Sequence, residues 1–318
     1  MPLKERLSRA AITLLLLFGI FSLLPYYIPV ASLGQEPEEL VFEESKFMVI
    51  DGVNLHFRFW ESPGASLGNI LLVHGYGGST FSWRHTVPSL NDAGYRVVTV
   101  DLPGFGLSER RSGLDHTPAG RAELLWSLMD RVLPGEGWHL VGHSIGGGVA
   151  AEMALQQPER VETLTLVDAD LYSSLSKTAE LIYSYPPVRQ WIKIFSPRFF
   201  FKEKQLKSYI TSAYGREPDE DELQGYLRPL RIAGSDSVLK DIAGLGYGTV
   251  GSVSALNIPA LCIWGEKDAW APLAAGEEIC ARLPQGELVV IKDQYHCPME
   301  TAPVEFNRSL LDFIARER

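Results

Sequence analysis

The residues best suited to do chemistry in this 318-residue chain are those of the sequence GHSIG at residues 142–146, with Ser144 at its centre. A short apolar run precedes them and helix-forming sequence follows, which predicts a strand that turns sharply into a helix. Glycines on both sides of the serine let the backbone approach neighbouring elements where a Cβ atom would clash. The pattern therefore predicts that Ser144 is a nucleophile whose hydroxyl is exposed at the edge of a sheet.

A serine hydroxyl is a poor nucleophile until a positioned base takes its proton, and the base needs a carboxylate that holds its tautomer. Two downstream residues meet this requirement. Asp268 follows the apolar run at residues 260–264, and His296 follows the run at residues 288–291. The chain order Ser144, Asp268, His296 is the order expected for a nucleophile on a turn of this type. We therefore predict a Ser-His-Asp triad.

Other residues compete for the roles of base and acid. His296 is the only histidine after Ser144. The contexts of five earlier histidines indicate surface, loop, strand or turn positions: His56, His85, His116, His139 and His143. Asp168 and Asp170 follow the apolar run LTLV and stay open as alternative acids. Asp293 is expected to be an exposed loop residue.

The tetrahedral intermediate of acyl transfer needs two backbone N–H groups directed at its oxyanion. One is expected from Ile145, directly after the nucleophile, and the other from Tyr76 in the glycine-rich sequence HGYGG at residues 74–78. No G-K-[ST] sequence follows that loop, which argues against nucleotide binding. We expect the mechanism to need neither a cofactor nor a metal.

The elements that must position these groups indicate an α/β fold. From residue 69 onward the apolar runs are continuous, which is typical of strands buried on both faces of a parallel sheet. Segments of helical composition separate the runs, and Asp51-Gly52 between two strand-like segments predicts an antiparallel hairpin at the start. We predict a doubly wound, mostly parallel eight-stranded sheet with helices on both faces.

One interval between predicted strands is far longer than a single crossover helix requires. Residues 171–245 fill most of it and are rich in aromatic side chains. We predict a helical cap insertion there, over the carboxyl ends of the strands, between core segments at residues 45–170 and 246–318. Most of the aromatics are expected to pack the small core of the cap itself, and some to line the cavity that it covers.

The first 35 residues have the features of a membrane or signal segment. The chain starts with basic residues, and residues 10–35 carry no charge, a stretch long enough to reach across a bilayer. Basic residues before an apolar segment place the amino terminus in the cytoplasm and the remaining chain on the far side. The catalytic residues are therefore expected outside the cytosol.

Two outcomes stay open for this segment, a membrane anchor and a cleaved signal peptide. Tyr26 and Tyr27 suit the interface of an uncleaved anchor, whereas Pro25 and the proline and small residues between 29 and 34 suit a cleavage region. The acidic residues 36–44 are expected to form a solvated linker to the catalytic core.

The composition limits the partners. A net charge of −10 argues against nucleic acid as a partner. Cys262, Cys280 and Cys297 are far apart, so they define neither a disulfide framework nor a zinc site. Cys297 is expected to be a small residue that packs the loop of the predicted base. The expected partners are a small ester substrate and a membrane.

Five sequences, HGYGGS, DLPGFGLS, GHSIGG, GEKD and QYHCP, resemble in their order those of the α/β-hydrolase fold superfamily, in the serine-nucleophile branch with a helical cap. The resemblance covers residues 45–318. It implies that residues 101–108 shape the sheet edge and take no part in the chemistry. Haloalkane dehalogenases and epoxide hydrolases carry aspartate where this chain has Ser144, which argues against both activities. Proline iminopeptidases usually have a different, tryptophan-containing turn at this position, which argues against an aminopeptidase activity.

The triad and the resemblance together predict a serine hydrolase of the carboxylesterase or lipase type, anchored in the membrane or secreted. The aromatic cap and the apolar segment favour an apolar acyl substrate. An alternative on the same triad is carbon–carbon bond hydrolysis of the meta-cleavage product type, although those enzymes usually act in the cytosol on charged dienoates. A non-catalytic binding module is the third alternative, and the presence of nucleophile, acid, base and oxyanion loop in order argues against it.

Overall fold

The central feature of the fold is an eight-stranded sheet, seen in a computed structural model that describes residues 3–28, 34–111, 113–172, 177–200, 203–232, 235 and 249–318. The strands are β1 (Ser45–Ile50), β2 (Val53–Trp60), β3 (Asn69–Val73), β4 (Arg96–Val100), β5 (Trp138–His143), β6 (Val161–Val167), β7 (Ala260–Gly265) and β8 (Gly286–Ile291). Their order is β1-β2-β4-β3-β5-β6-β7-β8, and β2 runs in the opposite direction to the other seven strands. The predicted mostly parallel eight-stranded sheet is confirmed.

The strands join as their sequences require. Asp51 and Gly52 form the turn between β1 and β2 with φ angles of 48° and 77°, the left-handed backbone that a two-residue hairpin turn needs. Every residue of β3, β5 and β7 is buried. Continuous apolar runs are the sequence pattern of strands with both faces covered.

Helices cover both faces of the sheet, as predicted. In chain order they are α1 (Leu3–Leu23), α2 (Val87–Asp92), α3 (Pro118–Val132), α4 (Ile145–Gln156), α5 (Lys177–Ser184), α6 (Pro186–Phe200), α7 (Glu203–Tyr214), α8 (Glu220–Leu230), α9 (Leu273–Arg282), α10 (Pro298–Thr301) and α11 (Pro303–Arg316). Apolar side chains of α3, α4 and α9 share one core cluster with Leu71 and Val73 of β3. Those of α2 and α11 share a second cluster with Ile70 and Leu72, whose side chains point to the opposite face.

Helices α5 to α8 form the insertion between β6 and β7. Helices α7 and α8 pack on the core through Leu206, Ile210 and Leu223. Residues 233, 234 and 236–248, at the predicted end of the cap, lie outside the described part of the chain. The limits 171–245 for the cap, and 45–170 with 246–318 for the core, therefore stay predictions.

Helix α1 is apolar along most of its length. The segment Ser8–Tyr26 has a mean hydropathy of 1.8, and only 6% of its most apolar window is buried. By length and composition it is able to cross a membrane, a property that signal sequences share. Residues 29–33, which contain most of the predicted cleavage region, lie outside the described residues.

Most of the segment expected to be a solvated linker is exposed, but two of its apolar residues contact the rest of the protein. Leu40 is 7% exposed and lies in a small cluster with Leu107 and Ile232. The guanidinium of Arg228, in α8, lies 4.4 Å from the ring centroid of Phe42. The acidic composition of residues 36–44 gave no indication of these contacts, which connect the segment to Arg228 and Ile232.

Candidate active site

Ser144 lies at the sharp turn between β5 and α4 with φ 52° and ψ −121°, a strained conformation for a residue with a side chain. A Cβ atom on Gly142 would lie 2.2 Å from the carbonyl oxygen of Gly146, and a Cβ on Gly146 would lie 2.5 Å from that of His74. Both positions therefore require glycine. The amide of Ser144 donates to the carbonyl oxygen of Val167 at 2.9 Å, which ties the turn to β6.

Asp268 and His296 meet at the carboxyl ends of the last two strands. Nδ1 of His296 donates to Oδ2 of Asp268 at 2.7 Å, and both residues are buried. Oδ1 of Asp268 accepts the amides of Trp270 and Ala271 at 2.7 and 3.1 Å. Burial alone would raise the pKa of Asp268, but the hydrogen bond and the charge interaction with His296, together with hydrogen bonds from Asp168 and the Trp270 amide, outweigh burial and lower that pKa. This arrangement keeps a carboxylate behind the imidazole. Ser144 and His296 both line the same cavity.

The rival acids occupy other places. Asp168 is fully buried with φ 41°, and its Oδ1 accepts the amide of Gly265 at 2.9 Å. Burial and the neighbouring Asp268 raise the pKa of Asp168 well above its usual value, which favours the protonated carboxyl. Asp170 lines the cavity. Asp293 forms an exposed ion pair with Lys267 at 2.7 Å, as expected for a loop residue.

One set of side chains has the spacing of a metal site. The candidate ligand atoms of Asp168, Asp268 and His296 all lie within 4.8 Å of one another. Nδ1 of His296 already donates to Asp268, and the raised pKa of Asp168 favours a protonated carboxyl there. These two protons would have to leave before a cation bound there.

The raised pKa of Asp168 predicts a pH-dependent stability. Its folded-state pKa lies above its unfolded value, so the folded state binds the proton more tightly and stability falls as pH rises above about 4. Asp168→Asn removes this dependence. We expect the melting temperature of the variant, relative to the native protein, to be several degrees more favourable at pH 8 than at pH 4.5. Parallel pH profiles for the two proteins would show that Asp168 is ionised in the folded state.

His143, next to the nucleophile, forms a hydrogen bond to the loop that carries His296. Its Nε2 donates to the backbone carbonyl oxygen of His296 at 2.8 Å, and the two ring centroids lie 4.9 Å apart. Burial, with the neighbouring His296, lowers the pKa of His143 to about 3. A neutral ring with its proton on Nε2 is therefore a permanent donor to this loop. The sequence indicated only a ring packed beside the turn.

His143→Leu is expected to lower the free energy of unfolding by about 1–3 kcal/mol, because it leaves the buried carbonyl of His296 without a donor. We expect kcat to fall as well, since the base loop loses its fixed position. His143→Gln retains an N–H donor and should recover part of both losses. Urea denaturation and steady-state kinetics measure them, and equal values for the leucine and glutamine variants would contradict this role.

The loop expected to supply the oxyanion donors lies directly against the nucleophile. A Cβ atom on Gly75 would lie 2.9 Å from the Cβ of Ser144, so only glycine allows this approach. Nε2 of His74 accepts the amide of Leu102 at 3.0 Å, which holds the start of the loop. Tyr76 follows in this loop, and the other predicted oxyanion donor, Ile145, is the first residue of α4.

Asp101 holds the other end of the same loop. It is 1% exposed and accepts the amides of Thr80 at 2.6 Å and Leu107 at 2.7 Å, and Nδ1 of His56 at 2.7 Å. A Cβ on Gly106 would overlap its carboxylate, which explains the glycine in DLPGFGLS. The geometry agrees with the structural role that the resemblance implies for residues 101–108.

A cavity of about 300 Å³ joins these elements under the cap. Its walls are mainly aromatic and aliphatic, and it is lined by Gly75, Tyr76, Gly78, Ser82, His143, Ser144, Ile145, Asp170, Tyr209, Ile210, Ala213, Tyr214, Tyr226, Trp270, Ala271, His296 and Cys297. None of these described lining residues is a lysine or an arginine. Burial raises the pKa of the Cys297 thiol, which keeps it protonated and unreactive.

Trp270 connects the predicted base to the cap, a role that sequence reasoning missed. Its ring centroid lies 5.0 Å from that of His296 and 4.6 Å from that of Tyr209. Its indole N–H donates to Oγ of Ser212, in α7, at 3.0 Å. In the sequence, only its position two residues after Asp268 indicated that Trp270 lies near the site.

A buried polar network forms part of the cavity wall. Glu300 is 3% exposed and accepts the hydroxyls of Tyr214 at 2.6 Å and Tyr226 at 2.5 Å, as well as the guanidinium of Arg84. Burial opposes the charge of Arg84, but the carboxylate of Glu300 prevails and raises its pKa. No sequence signal links these residues, because they come from four distant segments.

Two known proteins show what this chain is similar to. A 2-hydroxy-6-oxononadienedioate/2-hydroxy-6-oxononatrienedioate hydrolase of Burkholderia vietnamiensis is 26% identical over 285 residues, covering 85% of this chain and 94% of its own. A pimeloyl-[acyl-carrier protein] methyl ester esterase of Aeromonas hydrophila is 27% identical over 269 residues, covering 81% and 97%. Both relatives are hydrolases, one named for a dioate substrate and the other for an ester.

Among solved structures, a membrane phospholipase A described as a bacterial virulence factor has a TM-score of 0.70 and 20% identity. The match covers 99% of each chain, so the similarity of fold includes the amino-terminal helix. Residues 68–303 match the family described as the alpha/beta hydrolase fold. This chain is a hydrolase that belongs to the alpha/beta hydrolase fold family.

Proposed function

We propose that this chain is a serine hydrolase that cleaves a carboxylic ester with an apolar acyl group through an acyl-enzyme. His296 takes the proton of Ser144 as the serine attacks the carbonyl, and Asp268 stabilises the imidazolium. The amides of Tyr76 and Ile145 stabilise the oxyanion. His296 then gives the proton to the leaving alcohol and activates the water that releases the acid.

The observation that carries this proposal is the strained Ser144 on the same cavity as His296, whose Nδ1 donates to Asp268 at 2.7 Å. A nucleophile, a base and the residue that orients the base are thereby held by three different strand ends. The mainly apolar lining of the cavity supports an apolar acyl group.

Carbon–carbon bond hydrolysis on the same triad is the second candidate, and the relative from Burkholderia vietnamiensis supports it. A dioate substrate carries two carboxylates that need positive partners when they are buried. The described cavity lining contains no lysine or arginine, and the nearby Arg84 is paired with Glu300. This charge distribution favours an uncharged ester.

The basic start and the apolar α1 support a further part of the proposal, an anchored chain with its catalytic domain outside the cytosol. A secreted form produced by signal cleavage is the alternative. A fusion reporter placed at the carboxyl terminus, active only outside the cytosol, tests the side of the membrane.

The test of the reaction uses the full chain in detergent with p-nitrophenyl esters of graded acyl length and a fluorophosphonate probe. We expect ester turnover and covalent labelling, both abolished in Ser144→Ala. Labelling without ester turnover would favour the carbon–carbon substrate, which is then assayed directly. A folded protein with neither labelling nor turnover would contradict both enzymatic proposals and favour a binding module.

A further inference from the structure

Helix α1 is packed on the cap through aromatic side chains. The rings of Phe18 and Tyr185 stack with centroids 5.9 Å apart, and the hydroxyls of Ser22 and Tyr185 lie 2.7 Å apart. The ring of Phe21 stacks on Trp191, in α6, at 5.9 Å. The indole N–H of Trp191 also donates to the backbone carbonyl oxygen of Phe21 at 2.8 Å. These contacts hold the cap beside α1.

The contacts lie within the apolar span itself. Tyr26 ends the span and comes eight residues after Phe18, a distance of about 12 Å along a helix. Tyr26 and Tyr27 are 55% and 81% exposed, and exposed tyrosines at the end of a span suit the bilayer interface. If Tyr26 lies at that interface, the cap residue Tyr185, which contacts Phe18 and Ser22, lies below the membrane surface.

The cap presents apolar side chains next to these contacts. Leu181 and Ile182, in α5, are 73% and 55% exposed, and they lie one helical turn before Tyr185. We call Leu181 and Ile182 the cap face. Exposed aliphatic side chains beside an apolar helix are favourable in lipid and unfavourable in water. The cap face and α1 are therefore both more stable in contact with lipid than with water.

We propose that the cap face and α1 together form one membrane-binding surface, with the cap face inserted into the interfacial region of the lipid bilayer. The catalytic domain is then held with its cap against the membrane. The further consequence rests on the proposed esterase function: the substrate class is an acyl ester dissolved in the bilayer. The cavity under the cap then lies close to the surface that holds its substrate.

The first test measures depth in the bilayer and needs no catalysis. The full chain with Ser144→Ala and Cys280→Ala carries a single fluorophore at Ile182→Cys, since Cys262 and Cys297 are buried. The matched control carries it at Val304→Cys, in α11, where the native side chain is 84% exposed. The proteins are reconstituted in phosphatidylcholine vesicles that contain brominated acyl chains.

We expect the brominated lipids to quench the label at position 182 at least about threefold more strongly than the label at position 304, because only the former is in the interface. Equal, weak quenching at both positions would overturn the proposal. Energy transfer between labels at position 182 on different chains, without lipid quenching, would show that a second copy covers the cap face and would also overturn it.

The second test measures the consequence for turnover. The double variant Leu181→Glu with Ile182→Glu should lower hydrolysis of a long-chain ester held in vesicles about tenfold or more, since two exposed apolar side chains become charged. Its hydrolysis of a soluble short-chain ester should be unchanged, and Val304→Glu should change neither rate. Equal loss on both substrates would contradict a membrane role. Absence of all turnover in the native protein would contradict the proposed function, while the depth result would still decide the membrane surface.

Discussion

Asp268→Asn is expected to lower kcat about 10⁴-fold with little change in KM. In the folded protein Oδ2 of Asp268 accepts the proton of His296 Nδ1 at 2.7 Å, and Oδ1 accepts two backbone amides. The two backbone donors will hold the oxygen of the asparagine, so its NH₂ group faces His296. Nδ1 must then accept a hydrogen bond from that NH₂ group, so the ring proton moves to Nε2. The base needs a free lone pair on Nε2 to take the proton of the serine.

Asp168→Asn is the matched control for this prediction. Its carboxyl lies beside that of Asp268, and its raised pKa favours the neutral form, which an amide of the same shape imitates. We expect kcat within a factor of about three of the native value, because the variant leaves the His296–Asp268 hydrogen bond in place. Steady-state kinetics on a p-nitrophenyl ester measure both variants. A large loss in Asp168→Asn with near-native activity in Asp268→Asn would reverse the assignment of the acid.

Arg84→Ala is expected to lower the free energy of unfolding by about 3–5 kcal/mol, because it leaves a buried carboxylate without its cation. The Glu300 side chain has no exposed surface, and it keeps only the hydroxyls of Tyr214 and Tyr226 in the variant. Both tyrosines line the cavity, so their displacement should also reduce activity. Urea denaturation of the detergent-solubilised protein measures the loss of stability.

A surface ion pair is the control for the buried one. Arg316 pairs with Glu287 at 2.6 Å, but both side chains are about half exposed. Arg316→Ala should therefore cost less than about 1 kcal/mol. The double variant Arg84→Met with Glu300→Leu removes both charges and should recover much of the loss. If Arg84→Ala costs no more than the surface variant, the two tyrosine hydroxyls alone are sufficient to hold Glu300.

The sequence by itself determined the sheet and the order of the chemical groups. Continuous apolar runs indicate strands buried on both faces, and the five central strands β3 to β7 of the eight-stranded sheet are buried along most of their length. Since parallel strands end at the same edge, residues that follow different runs meet there. Ser144, Asp268 and His296 do so, and Ser144 and His296 line one cavity. These features can be read from short stretches of sequence, because a glycine-flanked turn and a residue that follows an apolar run are both recognisable without knowledge of distant residues.

Only the tertiary structure decided which distant groups touch. Asp268 and Asp168 both follow a strand, and the folded chain shows that Asp268 accepts from His296 whereas Asp168 accepts from the amide of Gly265. Folding also paired Arg84 with Glu300 and brought the ring of His143 to the carbonyl oxygen of His296. Leu40, in the predicted linker, packs in a cluster with Ile232. Burial and hydrogen-bond partners across more than a hundred residues set these contacts, and no periodic pattern along the chain records them.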